Sequence, residues 1–318
     1  MNIVIVDSYT LNPGDLSWHT LNSLGNLTIY NRTAKELILE RSAKAEIILT
    51  NKTPLEAATI NKLPNLKYIG VLATGFNIVD VIAAKVKNIP VCNVPAYGTN
   101  SVAQMVFAHI LNITQHVGLH NDSVMSGEWT NSADWCYWKK PLIELVGMKL
   151  GIIGYGRIGQ QVAKIGLALG MEILIHTLQH VDTLPENCLV VNRKALFEQS
   201  DIISLHCPLN NKTENIINST TLKIMKSSAI LINTSRGQLI DEAALADALN
   251  HDEIAAAGLD VLSVEPAQPD NSLVTAKNCF ITPHIAWATK NARQRLLDIA
   301  VSNVQAYLNG EIRNCVNL

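Results

Sequence analysis

Leu150-Gly-Ile-Ile-Gly154-Tyr-Gly156-Arg-Ile-Gly159 is the stretch on which the reading of this chain turns. It sets Gly-x-Gly-x-x-Gly directly after a short apolar run, Lys149–Ile153, and before an amphipathic stretch, Gln160–Leu169. The first has the pattern of a buried strand and the second that of a helix. A bare glycine pattern carries little weight, but the strand–turn–helix context gives it meaning. In that setting Gly154 allows a tight turn, Gly156 lets the backbone approach a pyrophosphate, and Gly159 permits close helix–strand packing. The amides that open the helix meet the diphosphate with the positive end of the helix dipole.

Outward from this turn, short β-branched runs alternate with amphipathic stretches over most of the chain. Upstream, Ile3–Val6, Ala45–Leu49, Tyr68–Val71 and Val91–Val94 read as buried strands, with helices at Thr33–Arg41 and Val79–Lys87. A long helix is expected over Ser101–Leu119. Strands at Lys149–Ile153, Glu172–Ile175, Ile202–Leu205, Ala229–Asn233, Ala257–Asp260 and Cys279–Ile281 follow it. Strand–helix alternation of this kind implies parallel sheets covered on both faces. The expected fold is α/β, with two doubly wound parallel-sheet domains. A Rossmann dinucleotide-binding domain, 99–286, is inserted into a discontinuous flavodoxin-like substrate domain, 1–98 plus 287–318. The last helix, Asn291–Leu308, is expected to return to the first domain.

Composition narrows the function. The chain has 318 residues, enough for about two domains. Its 25 basic and 27 acidic residues leave a net charge of −2, and 48% of residues are hydrophobic. Disorder throughout is excluded, and no basic excess is present to neutralise a nucleic-acid backbone. The start lacks the pattern of a secretory signal, and no run reaches the roughly 18 apolar residues of a membrane span. Six scattered cysteines without a Cys-x-x-Cys pair read as reduced structural thiols. The expectation is a cytoplasmic protein acting on a small molecule, with neither nucleic acid nor membrane as partner.

Three further segments follow predicted strands: Asn233-Thr-Ser-Arg236-Gly, Asp260-Val-Leu-Ser-Val-Glu265-Pro and Ile281-Thr-Pro-His284. All should lie at the carboxyl edge of the sheet, where open α/β folds bind ligands. Hydride exchange between an alcohol and a nicotinamide needs a group that trades the hydroxyl proton, and histidine suits it. It also needs a cation that orients a carboxylate, for which arginine's planar fork is apt. A carboxylate beside the histidine fixes the ring and favours imidazolium. Singly, Arg236 could cap a strand, Glu265 could be a solvated loop acid, and His284 a core histidine. Their joint placement downstream of the glycine turn favours the chemical reading. His116 and His120 stand four apart with His109 near their face, but no carboxylate or cysteine motif accompanies them and no metal is expected. Cys207, before Pro208, reads as packing rather than as a nucleophile.

These residues together resemble the D-isomer-specific 2-hydroxyacid dehydrogenases, essentially from end to end. The likeness is carried by Gly154–Gly159, His206-Cys-Pro208, Asn233-Thr-Ser-Arg-Gly237, Gly258-Leu-Asp260-Val, Glu265-Pro and Thr282-Pro-His284. The resemblance implies that Arg236, Glu265 and His284 are the catalytic set, and that Arg236 with the backbone of Ala73, Thr74 and Gly75 binds substrate. It implicates Arg157 and Ile158 at the diphosphate, Thr177 at the ribose, and Cys207 and Pro208 on the adenine side. Thr234, Ser235, Asp260, Val102, His284 and Trp287 would lie around the nicotinamide, with Asp260 on its carboxamide. NAD-specific members usually carry an acid where this chain has Thr177. No Lys or Arg occurs from Met171 to Asn192 either, so NAD is favoured and NADP stays open.

Within the family, Asp7–Trp18 and Gly70–Asp80 are closest to the glycerate dehydrogenase, or hydroxypyruvate reductase, branch. That implies reversible reduction of hydroxypyruvate to D-glycerate. Reduction of glyoxylate or another 2-keto acid is the alternative, and the different-class rival is a non-catalytic NAD-sensing scaffold like the C-terminal-binding-protein corepressors. With the chain ending soon after its last helix, the expectation is a member without the regulatory domain of many phosphoglycerate dehydrogenases. Asn121–Pro141 holds Trp129, Trp135, Tyr137 and Trp138 and reads as a subunit-contact arm, with a share in the substrate pocket as the other reading; with the resemblance it implies a homodimer.

Overall fold

The glycine-rich turn leaves an interior strand of a seven-stranded parallel sheet in the computed structural model, which describes every residue from Met1 to Leu318. The chain divides into two units, Met1–Gly98 with Ala288–Leu318, and Thr99–Trp287. Each is built around its own sheet.

The first unit holds β1 (Asn2–Ile5), β2 (Asn26–Ile29), β3 (Ile47–Thr50), β4 (Tyr68–Val71) and β5 (Val91–Cys92). They pair in the order β2-β1-β3-β4-β5, which is the flavodoxin-like order. Ile3 stands opposite Leu27 on one side and Ile47 on the other. β3 and β4 are buried along their whole length, as expected of parallel strands with both faces covered. β2 was invisible in the sequence because this edge strand is largely exposed and lacks a buried apolar run. The expected helix at Thr33–Arg41 resolves into a 3-10 turn, Lys35–Leu37, running into Ile38–Ser42.

The helix Lys290–Leu308 starts where the Thr289 side chain accepts from the Ala292 N–H, an ordinary N-cap. It buries Leu296, Leu297 and Val304. Arg293 on the same helix is also buried. Its fork donates two 2.7 Å bonds to the Asp15 carboxylate and a third, at 2.9 Å, to the Leu11 carbonyl. The guanidinium holds the Asp15 carboxyl below its ordinary range. A buried cation is tolerated here because every edge of the fork is engaged.

The second unit holds β6 (Lys149–Ile153), β7 (Glu172–His176), β8 (Cys188–Val190), β9 (Ile202–Leu205), β10 (Ile230–Asn233), β11 (Ala256–Leu259) and β12 (Cys279–Ile281). Their order is β12-β11-β10-β9-β6-β7-β8, a doubly wound dinucleotide-binding sheet with one extra strand at the β12 edge. The strand order reverses between β6 and β9, and ligands of such sheets bind beyond the carboxyl ends at that point. β8, three residues long and mostly exposed at the opposite edge, gave no sequence signal.

One expectation is corrected. The single helix over Ser101–Leu119 is two helices, Thr99–Gln115 and Val117–Met125. His116 separates them in the left-handed region, φ 48° and ψ 38°. That conformation ends the i→i−4 ladder, and histidine is among the side chains that adopt it more readily than most. No helix is long and apolar enough to cross a membrane.

Candidate active site

All strands of the second unit run parallel, so the segments after them emerge along one edge. At β6 the turn takes Gly154 to φ +97°, and a Cβ there would stand 2.6 Å from the Cys207 amide nitrogen. Only glycine fits on both counts. A Cβ on Gly159 would collide with the Gly154 carbonyl oxygen, which locks the helix Arg157–Ala168 against the turn.

These residues fit a dinucleotide. Gly156 has nothing within 4 Å of where its Cβ would stand, so the backbone there is open to close approach. The first-turn N–H groups of the twelve-residue helix that follows have no intrahelical acceptor. After β10, Thr234 Oγ1 is buried without any hydrogen-bond partner, a polar atom that calls for one from a ligand.

Beyond β11, Asp260 is fully buried. Its Oδ1 accepts from Thr282 Oγ1 at 2.6 Å and from the Ile285 N–H at 2.9 Å, and its Oδ2 accepts from the Ala286 N–H at 2.7 Å. This carboxylate therefore fastens the segment after β12. Thr282 has one hydroxyl proton, given to Asp260, so His109 must be the donor across the 3.1 Å contact to Thr282 Oγ1. That sets the His109 tautomer with its proton on Nε2. Burial holds this imidazole below its ordinary value, partly countered by the nearby Asp260 charge. Ser101 Oγ donates to the Ala286 carbonyl at 2.6 Å, a further tie on the segment.

The segment so held carries His284, at φ 55°. Its Nδ1 lies 2.6 Å from Glu265 Oε2, while Glu265 Oε1 accepts from the Leu262 N–H at 3.1 Å. Pairing with the carboxylate keeps the proton on Nδ1 and leaves Nε2 with no protein partner. The His284 carbonyl accepts from Trp287 Nε1 at 2.9 Å.

Arg236 follows β10, next to β11 in the sheet. Its side chain is exposed, makes no ion pair, and donates from Nη1 to the Ser235 carbonyl at 2.6 Å. Its loop is joined to the Glu265 loop: a Cβ on Gly237 would strike the Leu262 carbonyl group, and Gln238 Nε2 donates to the Ser263 carbonyl at 2.9 Å. A free guanidinium and a carboxylate-oriented imidazole therefore stand on the ends of neighbouring and next-neighbouring strands. Such a pair can bind a carboxylate and exchange a proton with an adjacent oxygen.

The other expected residues fall as follows. Arg157 is exposed and Ile158 half-buried on the first helical turn after Gly156; Val102 is buried early in the helix Thr99–Gln115. Thr177, half-buried after β7, accepts from the Gln179 N–H at 3.1 Å. Cys207 is buried and Pro208 exposed after β9, and Ser235 Oγ donates to the Leu205 carbonyl at 2.6 Å. In the first unit, Ala73, Thr74 and Gly75 follow β4. The Thr74 hydroxyl donates to the Val94 carbonyl and Asn93 Nδ2 to the Thr74 carbonyl, both at 2.8 Å. The Thr74 and Gly75 N–H groups donate to no protein acceptor. The three helix histidines do not converge: His109 turns inward, while His120 Nδ1 meets the His116 carbonyl and its Nε2 accepts from the Lys139 N–H. Thr282 and His109 as supports of Asp260 were missed from the sequence, where nothing local distinguishes them from packing residues.

Two histidines of this unit give an acid sensitivity. Burial pushes the His206 imidazole down to about 3, its Nδ1 covered and unpartnered, and His109 is lowered for the same reason. An unfolded chain protonates both near the ordinary value of 6.5, while the folded rings stay neutral. Stability is therefore complete above that pH and falls as the pH drops toward the folded values, by about 1 kcal/mol per pH unit for His206, with His109 adding in the same direction. Urea unfolding at pH 7.5 and pH 5 should show this loss, and His206→Asn should reduce it by one ring's share. An equal acid loss in the variant would remove His206 from the account.

Comparison with known proteins agrees with this geometry. Residues 107–286 match the family described as "D-isomer specific 2-hydroxyacid dehydrogenase, NAD binding domain". The chain is 51% identical to a hydroxypyruvate reductase of Blautia hydrogenotrophica, with 100% of both chains covered. It is 43% identical to a glycerate dehydrogenase of Methylorubrum extorquens, over 88% of each chain. The solved D-lactate dehydrogenase of Aquifex aeolicus, complexed with NAD and lactic acid, superposes with a TM-score of 0.83 at 30% identity, covering 100% of this chain and 99% of that one. The chain belongs to the D-isomer specific 2-hydroxyacid dehydrogenases, NAD(P)-dependent oxidoreductases acting on a CH–OH group.

Proposed function

We propose that this enzyme interconverts hydroxypyruvate and D-glycerate. The observation that carries the chemistry is the 2.6 Å contact of His284 Nδ1 with Glu265 Oε2. The names of the two relatives, at 51% and 43% identity, support the substrate. When bound, the nicotinamide supplies hydride to, or takes it from, the substrate's C2 carbon. Glu265 fixes the ring so that the exchangeable proton of His284 sits on Nε2, from which it passes to the keto oxygen on reduction. Arg236 grips the carboxylate with its fork and polarises the neighbouring carbonyl. In the first unit, the unengaged N–H groups of Thr74 and Gly75, with Ala73 beside them, are assigned to substrate binding, making 1–98 plus 287–318 the substrate domain. Within 99–286, Gly154, Gly156, Arg157, Ile158 and Gly159 are assigned to the diphosphate and Thr177 to the ribose. Cys207 and Pro208 are assigned to the adenine side. Val102, Thr234, Ser235, Asp260, His284 and Trp287 are assigned to the nicotinamide end.

Steady-state kinetics with hydroxypyruvate, glyoxylate and pyruvate, each with NADH and NADPH, test the reading. Hydroxypyruvate should give the highest kcat/KM. A higher value for glyoxylate or pyruvate overturns the substrate. Turnover far below one per second with all three, against an enzyme median of about ten, favours the NAD-sensing scaffold instead.

NAD is the favoured cofactor, because no Lys or Arg between Met171 and Asn192 offers a clamp for a 2′-phosphate. Thr177 excludes that phosphate by no charge of its own. Thr177→Asp should therefore lower kcat/KM with NADPH by about tenfold or more, through a repulsion of roughly 1.4 kcal/mol or above, and leave NADH use within a fewfold. Equal losses with both cofactors would remove residue 177 from cofactor choice.

The homodimer reading rests on exposed apolar side chains in and beside the Asn121–Pro141 arm: Met125 at 79%, Trp135 at 86%, Trp138 at 68% and Val146 at 66% exposure. Light scattering at micromolar concentration should give twice the 34.7 kDa chain mass; a stable monomer would refute it. Six unpaired cysteines support a reducing, cytoplasmic location.

A further inference from the structure

We propose that Cys92 and Cys315 form a redox-modifiable pair, closing by two-electron oxidation into a disulfide that fastens the C-terminal segment onto the edge of β5. The two residues are opposed in an isolated antiparallel bridge of the first unit. The flanking bonds run from the Asn93 N–H to the Asn314 carbonyl at 3.0 Å and from the Val316 N–H to the Val91 carbonyl at 2.9 Å. The cysteines themselves exchange no backbone bonds, so they form the close type of antiparallel pair, with Cα atoms about 4.5 Å apart and side chains on one face. That spacing falls inside the window a disulfide requires, about 4.4–6.8 Å. The opposed backbones thus bring the two cysteines within disulfide reach in the reduced protein.

The surroundings divide the labour. Cys92 is buried, and burial pushes its thiol up to about 12. Cys315 is half-buried, and its Sγ lies 3.2 Å from Asn317 Oδ1. The reachable sulfur is thus that of Cys315. Its thiolate attacks a small-molecule disulfide such as oxidised glutathione, forming a mixed disulfide and releasing one thiolate. Cys92 then attacks the Cys315 sulfur, giving up its proton as it does so, and expels the second. Two protein thiols are oxidised, one oxidant disulfide is reduced to two thiols, and the two cysteine protons pass to those leaving groups. Asn317 holds the segment in place: its Oδ1 accepts from the Val91 N–H at 2.8 Å and its Nδ2 donates to the Ile89 carbonyl at 2.9 Å. The new bond would therefore join partners whose backbones are already registered, linking sequence positions far apart. Closing so long a loop constrains the unfolded chain most.

The test uses the full-length protein. After incubation with oxidised glutathione and alkylation of the remaining thiols, peptide mapping should find residues 92 and 315 linked, with the protein lighter by two hydrogens. The thermal midpoint should rise by about 4 °C or more and return on reduction. Cys315→Ser, at the half-buried position, should abolish the link and the shift while the reduced variant keeps a near wild-type midpoint. Cys92→Ala should leave a glutathione adduct on Cys315. A stable adduct on wild-type Cys315, a link to any other cysteine, or an unchanged midpoint on oxidation would each overturn the proposal.

Discussion

His284→Gln is expected to lower kcat by about 10³-fold, within the 10²–10⁴ range that a positioned acid–base group contributes. The KM for NADH should move little. Glutamine retains polarity and approximate size but can neither carry nor release the proton at the position of Nε2. The loss should therefore appear in the chemical step. The 2.6 Å bond to Glu265 makes a second expectation specific. Glu265→Gln, which removes the charge but keeps a hydrogen-bond acceptor, should cost less than His284→Gln and change the pH profile of kcat. Single-turnover measurement with hydroxypyruvate would separate this from slowed product release. A His284→Gln enzyme within tenfold of wild type would mean that another group trades the proton, and the proposed mechanism would fall.

Arg236→Gln is expected to lower kcat/KM for the 2-keto acid by about 10²–10³-fold, corresponding to roughly 3–4 kcal/mol for a carboxylate left without its charged partner. The loss should be shared between KM and kcat, because the same fork grips the carboxylate and polarises the carbonyl. Lysine at this position should recover only a small part, since an ammonium offers a point charge where the substrate needs a planar two-pronged donor. The folded structure should be indifferent to the change: Arg236 is exposed, holds no ion pair, and its side chain donates only to the adjacent Ser235 carbonyl. Unchanged unfolding midpoints together with the kinetic loss would identify a substrate contact. A parallel loss of stability would mark a structural residue instead.

Much of the site was legible because its parts are local. The turn at Gly154–Gly159 is a strand, a tight corner and a helix start within one short stretch, and each glycine has its own steric reason there. Arg236, Glu265 and His284 each follow a strand with an apolar run, so the rule for parallel sheets places all three at one edge. The supports were not legible. The sequence marks Asp260 as a candidate cofactor contact but does not disclose that its carboxylate accepts three hydrogen bonds that hold the segment carrying His284. His109 lies on a different helix and reaches Asp260 only through Thr282. In sequence it is one more position on an apolar helix face.

The edge strands divide along the same line. β3, β4, β9 and β10 are buried from end to end and announce themselves as β-branched runs. β2 and β8 are mostly exposed and become strands only because a neighbour offers its free edge. The break at His116 rests on one residue in the left-handed region, which the helical period on either side of it does not disclose.

By itself, then, the amino-acid order determined the alternation of elements, the two parallel sheets, the glycine-rich turn and the kinds of side chain at the carboxyl edge of the second sheet. Hydrophobic period and turn chemistry act over a few residues, so they can be read along a line. Only the tertiary structure gave the 2.6 Å geometry of Glu265 with His284 and decided that Asp260 meets Thr282, that Arg293 meets Asp15, and that Cys92 stands opposite Cys315. Such pairings depend on strand order and on how the chain returns to a sheet, and no local pattern records where a distant partner will stand.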